Sequence, residues 1–246
     1  MKEIVIGIIQ GITEFLPVSS SGHLVLFQKL LKASKPGIEF EIFLHFSTLL
    51  AVVVFFWKDV KSLFVKESLK RHPITLLVVG SIPAGIVGIL FKDRIEAYFE
   101  NITYLPYFFI ITSILLFSTF FKKNPDKKDI TLLHAFLIGI AQAVAILPGV
   151  SRSGATISTA ILLGITHETA FSFSFILSLP AILGAALIDL KDANLPLLLN
   201  YIPAGITAFI FGLISLYVLK KVLRIKKLFL FGFYTLLLAI ITFFLR

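Results

Sequence analysis

Two short stretches carry the residues able to do chemistry. In GIIQGITEFL, starting at Gly7, Gln10 and Glu14 stand four apart and share one face of a helix. The rest of that segment is apolar. An ionisable group there is costly unless it meets a polar cavity or a partner, which marks Glu14 as functional by default. An interfacial Glu near a frayed end is the bland alternative, and the break at Pro17 argues against it. Ser19, Ser20, Ser21, Gly22 and His23 follow. A second half-helix is expected to start here, capped by one of the serines, so that its unpaired N–H groups and positive dipole end form an anion site. Ser20 and His23 are three apart on that first turn and can converge on one ligand. A lone His in such a segment is as often a packing residue, but the company of Glu14 and the serine run favours function.

The second stretch mirrors the first. LPGVSRSG (147–154) supplies Ser151, Arg152 and Ser153, with Thr156 one turn on, at the start of another half-helix. A guanidinium near a bilayer centre costs at least about 2.5–3.5 kcal/mol, and its planar fork suits two-pronged contact with phosphate. Two half-helix N-termini and one Arg describe a site for a multiply charged anion, phosphate first. The structural alternative is that Arg152 pairs only with Glu14 and locks the broken helices together. Other polar residues carry less. His45 either borders the cavity or packs; Glu39 and Glu41 suit the outer interface; His134, His167 and Glu168 suit helix ends near the inner face; Trp57 is an interfacial anchor.

The elements that position these residues must lie in a membrane. Of 246 residues 57% are hydrophobic and only 15% charged, against about 45–50% and about 25% in soluble domains. The net charge of +9 does not point to nucleic acid, because the basic residues cluster in loops beside apolar spans, where they set topology and meet anionic lipid. With no cysteine there is no thiol nucleophile or Cys-bound metal. The N-terminal apolar run, broken by Gln10 and Glu14, does not read as a cleavable signal. Spans are expected at 40–57, 74–91, 104–121, 168–190, 197–219 and 228–245. Regions 3–33 and 130–164 are interrupted by LPVSSSGH (16–23) and LPGVSRSG (147–154), and irregular backbone at membrane depth is tolerated only inside protein or along a cavity. Both are therefore expected to be re-entrant half-helix pairs.

The halves, about 1–121 and 122–246, read as copies within one membrane domain. GIIQGITEFLPVSSSGH parallels GIAQAVAILPGVSRSGA with small gaps, and IPAGI occurs at 82–86 and 202–206. The fold class expected is all-α and polytopic: an inverted-topology repeat of six transmembrane helices plus two re-entrant pairs. The loops at 58–72, 122–129 and 220–227 are rich in Lys and Arg, whereas 92–103 and 191–196 are not. The positive-inside rule then places both termini and the mouth of the first broken pair outside, and the second pair enters from the cytoplasm.

QGITEFLPVSSSGH together with PGVSRSGAT resembles the undecaprenyl-diphosphate phosphatase family of bacterial envelope synthesis, also called the bacitracin-resistance family, across the whole chain. Its first acidic position is Gln10 here, which weakens any scheme needing two carboxylates on that helix. The resemblance implies a cytoplasmic-membrane enzyme that hydrolyses undecaprenyl diphosphate to the monophosphate and inorganic phosphate. It implies Glu14, Ser20, His23, Ser151 and Arg152 as functional positions, with Glu14, Ser20, His23 and Arg152 catalytic; the half-helix starts add Ser19, Ser21, Ser153 and Thr156 to Ser151 and Arg152 around the phosphate. His23 stands as general base or nucleophile; Glu14 either orients His23 or, with Gln10, holds a divalent cation, Mg2+ or Ca2+. Ser20, His23 and water all remain open as the attacking group. The partners implied are a polyprenyl diphosphate and membrane lipids, and a homodimer stays open. A lipid or anion transporter of the same architecture is the competing reading. A phosphatidic-acid type phosphatase fits poorly: it needs a His six residues after the Arg, where Ser158 stands, and no Lys-x6-Arg-Pro is present.

Overall fold

The computed structural model describes residues 2–31, 38–63, 73–122, 124–189 and 201–246. The weakly charged loop at 191–196, residues 64–72 of the first basic loop, and Lys123 lie outside them. Among the described residues the chain is helical, apart from short turns and a single bridge between Lys127 and Ile165. The helices are α1 (Lys2–Phe15), α2 (Ser20–Leu31), α3 (Ile38–Phe55), α4 (Trp57–Ser62), α5 (Pro73–Leu90) and α6 (Lys92–Glu100). They continue with α7 (Leu105–Ser118), α8 (Leu132–Val144), α9 (Arg152–Leu162), α10 (His167–Asp189), α11 (Ile202–Arg224) and α12 (Leu230–Leu245). The expected spans are helices within three residues of the stated limits, except that 197–219 is found at 202–224, with 190 and 197–200 outside the described residues, and each expected break is a break.

The breaks have local causes. Pro17 lacks the N–H that would continue α1 and disfavours helical backbone at the residue before it. Past Val144 the chain meets Pro148 and then Gly149, whose φ of +100° suits glycine alone, since a Cβ there would also sit 2.9 Å from that of Phe108. One expectation fails. Residues 92–103, read as a loop, contain α6. In KDRIEAYFE the apolar Ile95, Tyr98 and Phe99 fall three and four apart between charges, and a count of hydropathy misses that period. Ile95 is buried, Phe99 packs with Val25 and Leu26 of α2, and the Tyr98 ring meets Phe108 edge-on at 5.4 Å.

The outer surface is apolar. On α5, Ile74, Val78, Ile82, Ile86 and Leu90 are exposed at every fourth residue; on α11, Ile202, Ile206, Ile210, Ile214 and Val218 repeat the pattern. Stripes of that length cannot face water. Helices 73–90, 102–121 and 202–224 are long and apolar enough to cross a bilayer, with shorter apolar helices at 40–55, 132–144 and 230–245. The chain is a multi-pass membrane protein.

Inside, pairing crosses between the halves. The most extensive contacts are α1 on α11, α5 on α8 and α7 on α12. Gly7 lets α1 lie against the Ala204 carbonyl of α11, and Gly139 lets α8 lie against the Gly80 carbonyl of α5; at each, a Cβ would fall 2.3 Å from that oxygen. Ala204 belongs to the second IPAGI whereas Gly80 precedes the first, so the copies sit about one helical turn out of step. The ends of the broken pairs also sort. Lys127 bridges to Ile165 and its Nζ donates to the Leu163 carbonyl at 3.0 Å, so the start of α8 and the end of α9 lie together beside the 122–129 loop. Val25 and Leu26 of α2 pack with Ile102 and Leu105, at the other end of α7. The core between is aromatic: Phe15, Phe56, Phe171 and Phe175 meet at 5.1–5.8 Å.

Candidate active site

The two broken turns touch. Ser19 Oγ accepts from Gly22 N at 3.2 Å, capping α2, and from Gly149 N at 3.1 Å in the opposite turn. A Cβ on Gly22 would lie 2.9 Å from the Cα of Gly149. Ser151 caps α9 in the same way, accepting from Gly154 N at 3.1 Å. The copies agree in detail: Ser19 and Ser21 share a hydroxyl contact of 3.2 Å, as do Ser151 and Ser153. Thr112 of α7 stitches the second turn down, donating to the Gly149 carbonyl at 2.8 Å and accepting from Ser151 N at 3.0 Å. Two helix N-termini thus meet inside the protein, and the first N–H groups of each have no partner within their helix.

Glu14 sits where they meet. Its Oε1 accepts from Arg152 Nη2 at 3.0 Å; its Oε2 accepts from Ser20 Oγ at 2.7 Å and from Gln10 Nε2 at 3.1 Å. The ion pair joins the first turn to the second and is nearly closed off, the two side chains being 15% and 7% exposed. The expected alternative of an Arg152–Glu14 lock is therefore real, but it uses one prong only. Nη1 is buried with no protein partner among the described residues, and the guanidinium lies 5.9 Å from the centre of the Phe175 ring. His45 of α3, with Gln10 and Glu41, borders a cavity of about 20 Å³, room for about one water. A wider cavity, about 1110 Å³, opens elsewhere, between Asp59, Pro73, Lys128, Thr131, Glu168 and Ser172. Among the described residues, none of the orphaned buried polar atoms belongs to its lining.

The expected convergence of His23 with Ser20 and Glu14 does not occur. Three helical residues leave the two side chains about 60° apart around the axis. Ser20 turns to Glu14, while His23 turns to α12, its Nδ1 bonded to the Ser19 carbonyl at 2.7 Å and its Nε2 to the Tyr234 hydroxyl at 2.8 Å. Nor do all the serines point into the site: Ser19 and Ser151 act as caps, and Ser21 and Ser153 bond to them. Thr156 is fully buried, donating to the Arg152 carbonyl at 2.8 Å and meeting the Ser174 hydroxyl. Two residues went unnoticed in the sequence. Tyr234 reads there as one more aromatic in a span. Gln142, aligned with Gln10 in the repeat, is buried with neither end of its amide bonded among the described residues; its place in the repeated motif was the available signal.

A family model described as bacitracin resistance protein BacA matches residues 3–241. An undecaprenyl-diphosphatase of Thermosipho africanus is 42% identical, over 99% of this chain and 99% of that protein. One of Halothermothrix orenii is 42% identical over 95% and 93%, and one of Methanococcus vannielii 40% identical over 99% and 99%. Matches of that length take in both broken helix pairs and the Glu14–Arg152 contact between them, and the chain belongs to the BacA bacitracin-resistance family.

Proposed function

We infer that this chain is an undecaprenyl-diphosphatase, hydrolysing the membrane-held diphosphate to undecaprenyl phosphate and inorganic phosphate and so returning the carrier lipid to envelope synthesis. The observation that carries this, beside the family membership, is the Arg152–Glu14 contact at two facing helix N-termini, with Nη1 of Arg152 left over. Arg152 and the first N–H groups of α2 and α9 would hold the terminal phosphoryl group and the charge that builds on it. Of the three open attacking groups, Ser20 has the best support: its hydroxyl already donates to a carboxylate at 2.7 Å. In this reading Glu14 takes the Ser20 proton as Oγ bonds to the terminal phosphorus. The bridging P–O bond breaks and undecaprenyl phosphate leaves; water then releases inorganic phosphate from the serine. His23 holds the Ser19 carbonyl and with it the turn that presents Ser20. Trapping a phosphoenzyme from diphosphate labelled in its terminal phosphate tests the scheme. The label should be lost in Ser20→Ala; full turnover in that variant would transfer the attack to water.

Among the described residues no three His, Asp or Glu stand together as a metal cage. Glu14 with Gln10 offers a carboxylate and an amide, a set that suits an Mg2+ or Ca2+ taking its other oxygens from the diphosphate. Such an ion would neutralise part of the diphosphate charge. For topology we propose the inverted repeat with six spans, two re-entrant pairs and both termini outside the cytoplasmic membrane. Its support is the crossed pairing of α1 with α11 and α8 with α5, together with the sorting of the broken pairs to opposite ends. Every group in the scheme comes from one chain, so it serves a monomer and a homodimer alike.

A further inference from the structure

Ser19 is a non-glycine residue in left-handed backbone, with φ of +66°. Such a conformation is strained and persists only where its surroundings over-determine it. Here they do. The Ser19 hydroxyl takes two backbone N–H groups, from Gly22 and Gly149. Its carbonyl takes two donors as well, the His23 backbone N–H at 3.1 Å and the His23 ring at 2.7 Å. The next residue is Ser20, whose hydroxyl is on Glu14. The imidazole of His23 thus fixes the turn from which the attacking hydroxyl is presented.

Something must in turn fix the imidazole. A carbonyl cannot donate, so Nδ1 carries the proton. In the neutral ring Nε2 is then an acceptor, and its partner is the Tyr234 hydroxyl, 2.8 Å away and 211 residues along the chain. The two rings lie stacked, 9° from parallel with centres 5.8 Å apart, and Phe109 closes the other side edge-on at 6.3 Å. His23 is 4% exposed, so the ring is held almost entirely by protein. The opposite tautomer could still bond the Tyr234 hydroxyl, which both donates and accepts, but it would set a lone pair against the Ser19 carbonyl, breaking the bond that holds the turn.

We propose that Tyr234 is a positioning residue of this active site, its hydroxyl anchoring Nε2 of the His23 ring and through that ring the backbone of Ser19 and the aim of Ser20. The proposal rests on the reading that the Ser19–Ser20 turn serves the reaction. The test uses full-length protein in detergent or nanodiscs, as wild type, Tyr234→Phe, His23→Gln and the double variant. Phe keeps the stacked ring and removes one oxygen. Two quantities are read: turnover on undecaprenyl diphosphate, and nitrogen-15 spectra of labelled imidazoles, with His23→Gln identifying the His23 signals. The wild type should show His23 protonated on Nδ1. Tyr234→Phe should shift the bare Nε2 resonance and lower kcat about tenfold with little change in KM, equivalent to about 1.4 kcal/mol. The double variant should be no slower than His23→Gln, because Tyr234 acts only through His23. A wild-type His23 protonated on Nε2, an Nε2 signal indifferent to Tyr234→Phe, or losses that multiply in the double variant would each overturn the proposal. Wild-type turnover in His23→Gln would instead overturn the underlying reading, and the tautomer signature, independent of turnover, tells that failure from this one.

Discussion

Arg152 gives one prong of its guanidinium to Glu14 and keeps the other buried, without a partner among the described residues. Arg152→Lys keeps the charge and a partner for Glu14 but loses the second prong. Its kcat should therefore fall about a hundredfold or more, the scale of removing one donor from a charge-stabilising site, while the thermal midpoint stays near the wild type. Near-normal turnover would leave Arg152 as a lock only. The lock has its own signature. Breaking a nearly buried ion pair from one side strands a charge and costs about 3–5 kcal/mol, so Glu14→Ala and Arg152→Ala should each lower the unfolding midpoint clearly. The double variant should lose less than the two combined, and simple additivity would mean that the pair contributes nothing as a pair. These residues were legible in the sequence because a carboxylate, a guanidinium and a serine run stand out in apolar segments. Tyr234 was not, since its neighbours in FGFYTLLL are apolar and aromatic and its partner lies in another element. His23 stood out in the sequence but was misread in direction, because spacing on a helix gives an angle around the axis and says nothing of which neighbour has a free hydroxyl.

Between elements, contact depends on small residues at a few crossings. At Gly7 and Gly139 an added Cβ would meet a carbonyl of the facing helix, backbone that cannot rotate away. Gly7→Ala and Gly139→Ala should each separate a helix pair and lower the thermal midpoint in detergent. Gly85→Ala, on α5 with nothing within 4 Å of the new methyl, should be neutral or raise stability by up to about 1 kcal/mol through helix propensity. Equal melting of all three would argue against close packing at the two crossings. The two IPAGI copies pointed to the helices that receive these contacts, but not to the register, because one helical turn of slip leaves every fourth residue on the same face. Helix α6 escaped for a different reason: nine residues of mixed charge and aromatic character carry too little hydropathy to register as an element, and only their spacing shows a buried side.

At the scale of the whole molecule, loop charge supplied an orientation that the helix contacts then made geometrically specific. Tyr107, near the start of α7, accepts from Arg246 Nη1 at 3.0 Å, which sets the C-terminus at that end of the helix. Lys122 lies just past the other end of α7, on the side where Lys127 bridges α9. Fifteen residues at about 1.5 Å each place the two some 22 Å apart along the axis, most of a hydrocarbon core. They should therefore face opposite compartments, and the run of Lys at 122–128 assigns Lys122 to the cytoplasm. The chain has no cysteine, so single cysteines can be introduced without background. In intact cells an impermeant thiol reagent should label Arg246→Cys and spare Lys122→Cys, and permeabilised cells should label both. The reverse pattern would keep the fold and invert the orientation, moving the mouth of the first broken pair, and the approach to Glu14 with it, to the cytoplasmic face. Labelling of both in intact cells would place the two ends of α7 on one side, which the length of that helix does not allow for a chain that crosses the membrane as proposed.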